Sequence, residues 1–202
     1  MKKTTRKKLL TGGAVSLLAV GAFTGYRYFT GGLERLPESV CSGSVDREVV
    51  IAALPAARSA EEGSRTRPSG GRWIFTCHVN SSGGSIISGE VEITDVTPEQ
   101  WFNHYKDQGE GVPLKAKRGP VQVLSVAQDR VTLYVPCKPA NSTSAAAQVF
   151  ITDARTIGET HATGAELRQA ITDFAYGITR HAFELDKCRG AESLPADLSG
   201  TY

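Results

Sequence analysis

The chain has 202 residues, 40% of them apolar and 22% charged, a composition ordinary for a globular protein. Its formal net charge of +2 is unevenly placed: six of the 23 basic residues lie in residues 1–29, which hold no acid, leaving 17 basic against 21 acidic residues in the rest. That remainder, at a net −4, lacks the basic face that nucleic-acid binding needs, so no nucleic-acid partner is expected.

The N-terminus reads as a membrane segment. Lys2, Lys3, Arg6, Lys7 and Lys8 form a positive cluster, and an uncharged run of 18 residues follows from Leu9 to Tyr26. A helix of that length spans roughly 27 Å, close to a hydrocarbon core of about 30 Å. The basic cluster should stay cytoplasmic, which places the bulk of the chain outside as a single-pass protein. Val20-Gly21-Ala22 offers small residues for a signal peptidase, so secretion after cleavage near Ala22 is the alternative. Tyr26, Tyr28 and Phe29, with Arg27 among them, resemble an interfacial aromatic belt and favour a retained signal anchor over residues 1–29. Residues 30–40 then read as a juxtamembrane spacer, 41–190 as one extracytoplasmic domain, and 191–202 as a flexible tail.

Within the domain, a helix is expected to begin near Ser44 and run through Val45, Val49 and Ala52 to Leu54, where Pro55 stops it. The polar, glycine-rich stretch 55–71 reads as a mobile connection. Trp73–Val79 and Ile86–Thr94 read as strands around the turn-forming run Asn80–Gly84. Thr97-Pro98-Glu99-Gln100 is a helix start, with threonine as N-cap, proline at the first helical position and glutamine closing a capping box. That helix should end before Gly109, with Trp101, Phe102 and Tyr105 facing the core. The basic run Lys115–Pro120 reads as a turn, followed by strands at Val121–Val126, Arg130–Val135 and Gln148–Thr152. The last helix opens at a second capping box, Thr163–Glu166, and carries a stripe of Leu167, Ile171, Phe174, Ile178, Ala182 and Leu185. Gly177 interrupts it, which suggests close packing at that point.

The four cysteines, Cys41, Cys77, Cys137 and Cys188, all lie beyond the apolar run, and an even number outside a membrane reads as disulfides. Pairing Cys41 with Cys77 and Cys137 with Cys188 joins a strand to a helix end in each case; Cys41–Cys188 with Cys77–Cys137 is the alternative. No pair has the C-x-x-C spacing of a metal site, so neither a metal nor a cofactor is expected. Phe75-Thr76-Cys77 and Val135-Pro136-Cys137 each lead through a small-residue loop to an Ile-Thr-Asp strand and a capped helix, suggesting a weak internal repeat. The expected fold class is α+β: an antiparallel sheet with helices packed on one face and two disulfides.

No catalytic constellation emerges. The chain has no G-x-S-x-G elbow and no glycine-rich phosphate loop. His78, His104, His161 and His181 are scattered, His181 lying three residues from Glu184. Paired carboxylates occur at Glu90 and Glu92 and at Asp95 and Glu99, the first pair fitting the exposed face of a strand.

The order of Cys41, a short helix ending at Leu54-Pro55, a polar loop, Trp73-Ile-Phe-Thr-Cys77, a glycine-rich turn and Val91-Glu-Ile-Thr-Asp95 is similar to that of membrane-anchored proteins of actinomycetes such as Streptomyces. The closing stretch Gly164–Ala170 through His181 and Cys188 resembles the same group. More distantly, the chain looks like actinobacterial lipoprotein families of unknown function, from which it departs in lacking a lipobox cysteine. The resemblance implies an extracytoplasmic location and a non-enzymatic role, and it transfers no site residue. The expected function is therefore a membrane-tethered binding or accessory protein of the cell envelope with an envelope protein as partner, the alternative being an anchored or secreted hydrolase.

Overall fold

The computed structural model describes residues 25–26, 29–69, 72–109, 112–139, 148–189 and 193–201. The expected anchor, residues 1–29, lies outside the described residues apart from Gly25, Tyr26 and Phe29. No helix among the described residues is long and apolar enough to cross a membrane.

In chain order the elements are β1 (Ser39–Val40), β2 (Val45–Asp46), α1 (Arg47–Ala53), β3 (Ala60–Ser69), β4 (Arg72–Ser81), β5 (Ile86–Thr94), α2 (Pro98–Tyr105), β6 (Leu114–Arg118), β7 (Val121–Ala127), β8 (Arg130–Pro139), β9 (Gln148–Ile157), α3 (Gly164–Leu185) and β10 (Cys188–Arg189). The main sheet is antiparallel throughout, in the order β3-β4-β5-β9-β8-β7-β6, with β10 pairing the end of β8.

Helix α3 covers one face, here called the inner face. Leu167, Ile171, Phe174, Ile178 and Ala182 of the expected stripe are buried, while Leu185, at the helix end, is half exposed. Beneath it lie the alternate residues Phe75, Val79, Val91, Leu133, Val135 and Phe150. The helix rests directly on β5 at Gly89, where a Cβ would come within 2.6 Å of Ile178 Cδ1 and 3.1 Å of Phe174 Cε1. Its opposite side is covered by the N-terminal segment: a Cβ at Gly177 would meet the Ser44 carbonyl oxygen at 2.6 Å and Val45 Cγ2 at 3.1 Å. Gly177 is therefore an interrupting glycine required by close packing, as its position in the stripe suggests.

The two disulfides are Cys41–Cys77 and Cys137–Cys188, with Cα separations of 5.5 and 5.4 Å. The first fastens the turn between β1 and β2 to β4, and the second fastens the end of α3 to β8. In that turn Cys41, Ser42 and Gly43 all have positive φ, and the Cys41 N–H donates to the Glu62 carboxylate on β3 at 2.9 Å.

Several expectations need correction. The first helix begins at Arg47 rather than near Ser44, because Val40 and Val45 pair as a two-residue hairpin and the Ser44 hydroxyl turns back to the Cys41 carbonyl. The supposed connection 55–71 contains strand β3, and the basic turn at Lys115–Pro120 contains strand β6. Both are the edges of the sheet, where charge and proline protect unpaired backbone groups, so their composition imitates a loop. The spacer 30–40 is not a bare linker: Leu33 and Leu36 are buried in the core, and the Gly32 N–H donates to the Ala57 carbonyl at 2.7 Å.

The capping box of α2 forms in full, whereas that of α3 does not. Thr163 is the N-cap of α3 but makes no side-chain cap bond, and the residue after it, Gly164, has φ +57°. Residues 193–201 pack against α3 instead of fraying: Leu198 is fully buried, its carbonyl accepts from Gln169, and Arg118 donates to Asp197. Finally, the helices do not share one face. Trp101 of α2 packs with Leu124, Val126, Tyr134, Val149 and Ile151, the residues that alternate with those beneath α3, so α2 lies on the outer face.

In an exposed helix Gly177→Ala would gain about 1 kcal/mol. Here the added methyl meets backbone, and a loss of about 1–3 kcal/mol is expected as a lowered urea midpoint of the oxidised chain. The double variant Cys137→Ala/Cys188→Ala opens a loop with a sequence separation of 51 residues and should lose about 4 kcal/mol in the same measurement.

Candidate functional site

The outer face is only partly covered. Helix α2 is eight residues long and is pinned by the Trp101 indole N–H, which donates to the Thr132 hydroxyl at 3.0 Å in a buried bond. It shields the region over β7, β8 and the start of β9. Beside it, over β4, β5 and the second half of β9, lies an open groove of about 510 Å³ lined by Thr76, His78, Ser88, Glu90, Glu92, Tyr105, Arg130, Asp153 and Arg155, among others.

Strand register sorts these side chains into rows that run across the sheet. One row reads Gly63, His78, Ser88, Arg155, Arg130 across β3, β4, β5, β9 and β8. The next, two residues along each strand and about 6.8 Å away, reads Arg65, Thr76, Glu90, Asp153, Thr132. A third brings Glu92 beside Ile74 and Ile151. A row with three basic or imidazole side chains therefore runs alongside one with two carboxylates.

Part of this charge is already satisfied. Arg130 grips Asp153 with two parallel bonds, Nε to Oδ1 at 2.9 Å and Nη2 to Oδ2, in partly buried surroundings. Arg67 pairs diagonally with Glu90 at 3.0 Å on the exposed rim. Tyr105 forms the groove wall at the end of α2, with the Arg130 guanidinium 5.7 Å from its ring centroid. Burial, reinforced by the Asp153 and Glu92 carboxylates, pushes the Tyr105 hydroxyl up to about 12, so it stays protonated and donor-competent. Glu92 is also raised, by desolvation first and by neighbouring Glu90 second, while His104 and Arg72 oppose the shift.

Of the side chains singled out in the sequence, His78, Glu90 and Glu92 come together here. The others do not. Asp95 pairs with Arg72 at 3.3 Å, and Glu99 lies in the first turn of α2. His104 stacks edge-on against Tyr105 at 4.8 Å between centroids, and His181 lies on the other side of the sheet against Phe75 at 4.9 Å, making no ion pair with Glu184. His161 precedes α3, where its backbone N–H donates to the Ala53 carbonyl. Tyr105, expected to face the core, instead walls the groove, and Ser88, Arg130, Asp153 and Arg155 were not singled out. Their only trace in the sequence is the polar position repeating every second residue in strands whose other positions are apolar, and the row they form depends on register.

A second cavity, about 420 Å³, lies between α3, the β1–β2 turn and the C-terminal segment. Its polar groups mostly fasten that segment: Tyr176 donates to the Pro195 carbonyl and Arg180 to the Ala196 carbonyl. Among the described residues, one grouping has ligand atoms close enough for a metal, Cys137, Asp186 and Cys188, but both of its sulfurs are taken up in a disulfide.

Fold and groove together define a disulfide-bonded α+β protein with a half-covered antiparallel sheet. No family model, curated protein or solved structure matches this chain.

The raised pKa of Glu92 fixes the sign of a pH effect. The folded state holds that proton more tightly than the unfolded state, so ionised Glu92 costs stability above its folded pKa, and the cost fades as pH falls through the carboxylate range. Glu92→Gln should therefore raise the thermal midpoint at about pH 7, and the advantage should disappear at about pH 3. A constant advantage at both values would refute the assignment.

Proposed function

We propose that this chain is a membrane-tethered binding or accessory protein of the cell envelope, and that the groove on the outer sheet face is its recognition surface. The observation that carries the reading is the groove itself: a rigid sheet face left open beside α2, with polar side chains from four strands set in register and several of them uncommitted. Loops carry little of it, so the surface is preformed and pays little ordering entropy on binding. The address rests on three features: the basic cluster before the uncharged run Leu9–Tyr26, the acidic balance of the remainder, and two disulfides of the kind that persist in oxidising compartments. The expected partner is a protein of the envelope, and no nucleic acid is expected.

An anchored or secreted hydrolase is the second reading. Its support is that Ser88 and His78 face each other across β5 and β4 with carboxylates one row away. Against it, the His78 ring lies over Gly63, where a Cβ would stand 2.8 Å from its Cε1, and thus leans away from Ser88. No hydrogen bond joins the pair, so the serine lacks an activating base in this arrangement.

Crosslinking in intact membranes, followed by recovery of the full chain with its own N-terminal segment, tests the first reading. The parent chain should enrich a partner that a groove variant, Ser88→Tyr/Arg155→Glu, fails to recover. Equal recovery by both would place recognition elsewhere. Non-reducing peptide mapping of the same material should return Cys41–Cys77 and Cys137–Cys188, and free thiols would undercut the extracytoplasmic address.

A further inference from the structure

Donors in a groove usually satisfy one another; three here do not. Ser88 sits on the floor of the groove, with His78 on β4 to one side and Arg155 on β9 to the other, all in one cross-strand row. Among the described residues the Ser88 hydroxyl, the His78 imidazole and the Arg155 guanidinium have no hydrogen-bond or ion-pair partner, whereas the carboxylates one row away are held by Arg67 and Arg130. Directly opposite neighbours in a sheet stand about 4.5–5.5 Å apart at Cβ, so Arg155 and Ser88 reach a common point above the floor. Gly63 shapes the other wall. Lacking a Cβ, it accepts the His78 ring over β3, and that tilt opens the space above Ser88.

We infer that this trough binds a monoanionic oxygen group, a carboxylate or a phosphodiester, carried by the ligand of the groove. The chemistry is that of a planar fork and a hydroxyl converging on one oxyanion, with the imidazole forming the facing wall. Charge sets the valence. Arg130 is committed to Asp153 and Arg67 to Glu90, which leaves Arg155, among the described residues lining the groove, as the arginine without an ion-pair partner. A second negative charge on the ligand would face Glu90 and Asp153 one row away. Thr76, Glu90 and Glu92 along the groove would then accept from hydroxyl or amine groups elsewhere on the same ligand. The inference rests on the groove being the recognition surface.

The test is a titration of the full chain in detergent micelles, labelled in arginine and histidine side chains, with acetate, dimethyl phosphate and dianionic inorganic phosphate at constant ionic strength. Acetate or dimethyl phosphate should give saturable NMR shifts of Arg155 Nε and of the ring signal lost in His78→Gln, and the tighter of the two identifies the source as carboxylate or phosphodiester. Inorganic phosphate should bind more weakly than that probe. Arg155→Gln should weaken binding about tenfold or more, and Arg155→Lys should restore part of it. Gly63→Ala, whose added methyl would crowd the His78 ring, should weaken it several-fold by displacing that ring into the space above Ser88. Shifts that never saturate, that appear equally at exposed Arg65, or that survive Arg155→Gln would overturn the site. Loss of the crosslinked partner in groove variants without any anion binding sinks this inference and spares the recognition surface. Saturable anion binding with unchanged partner recovery supports the inference and shifts partner recognition elsewhere.

Discussion

The structure depends on α3 being clamped between the sheet and the N-terminal segment at two glycines. At Gly89 the strand has no side chain of its own, and Ile178 and Phe174 of the helix press onto its backbone, while at Gly177 the helix lacks a side chain and the Ser44 carbonyl of the N-terminal segment closes on it. Half of its 22 residues are buried, including Thr172 and Thr179, whose hydroxyls donate to the carbonyls four residues earlier. Thr152 on β9 meets Thr179 at 2.6 Å, so even the polar atoms at the helix–sheet contact are paired. Each disulfide then secures one side of this clamp, Cys41–Cys77 the covering segment and Cys137–Cys188 the helix end. A helix buried on both sides cannot be repositioned without unpacking three layers, which fixes the sheet beneath it.

That rigidity has a consequence on the far side. With the inner face filled by α3, Phe75, Val79, Val91 and Phe150 of β4, β5 and β9 point one way, and the alternate positions must face outward. Near β7 and β8 those positions are Leu124, Val126 and Tyr134, which need a cover, and α2 supplies it through Trp101. Near β4 and β5 they are Thr76, His78, Ser88, Glu90 and Glu92, which do not. The boundary between the two halves is the wall at Tyr105. Because the floor is sheet, the spacing between charged rows is set by strand geometry rather than by side-chain choice, and a ligand meets fixed distances.

The parts legible in the sequence are those where local chemistry and tertiary demand agree. The capping box at Thr97–Gln100 needs only four residues to form, and β5 lies at Ile86–Thr94 because its alternation survives burial. The cysteine pairing was legible because Cys77 and Cys137 lie in recognisable strands and Cys188 follows the last helix, although Cys41 sits in the β1–β2 turn rather than at a helix end. The edge strands were not, since β3 and β6 must look unlike strands in order to be safe at an edge. The docked C-terminal segment was missed for another reason: Leu198 and the Pro195 and Ala196 carbonyls carry no periodic signal, and their partners lie on a helix 16 to 29 residues earlier. The groove was invisible because it is a property of register. Glu90 read as an ordinary strand carboxylate, and only pairing shows that Asp153 stands opposite it and Arg155 opposite Ser88.

The suggested repeat clarifies how the groove arises. The hairpins β4–β5 and β8–β9 do lie side by side about the β5–β9 pair, and their cysteines face the same side of the sheet. A two-fold axis normal to the sheet would relate them and would keep both following helices on one face. The chain breaks that symmetry after β5: Asp95, Val96 and Thr97 lead straight into α2, with Tyr134 of β8 donating to the Val96 carbonyl, whereas six residues separate β9 from α3. The aspartates break it as well, since Asp95 lies past the end of β5 while Asp153 sits inside β9 and faces the groove. Had α2 followed the symmetry it would compete with α3 for the inner face, and the outer face would be a bare sheet without a wall. Sending the short helix outward gives the sheet one covered end and one open trough, and it places Arg130, Asp153 and Arg155 of the second hairpin against His78, Ser88 and Glu90 of the first.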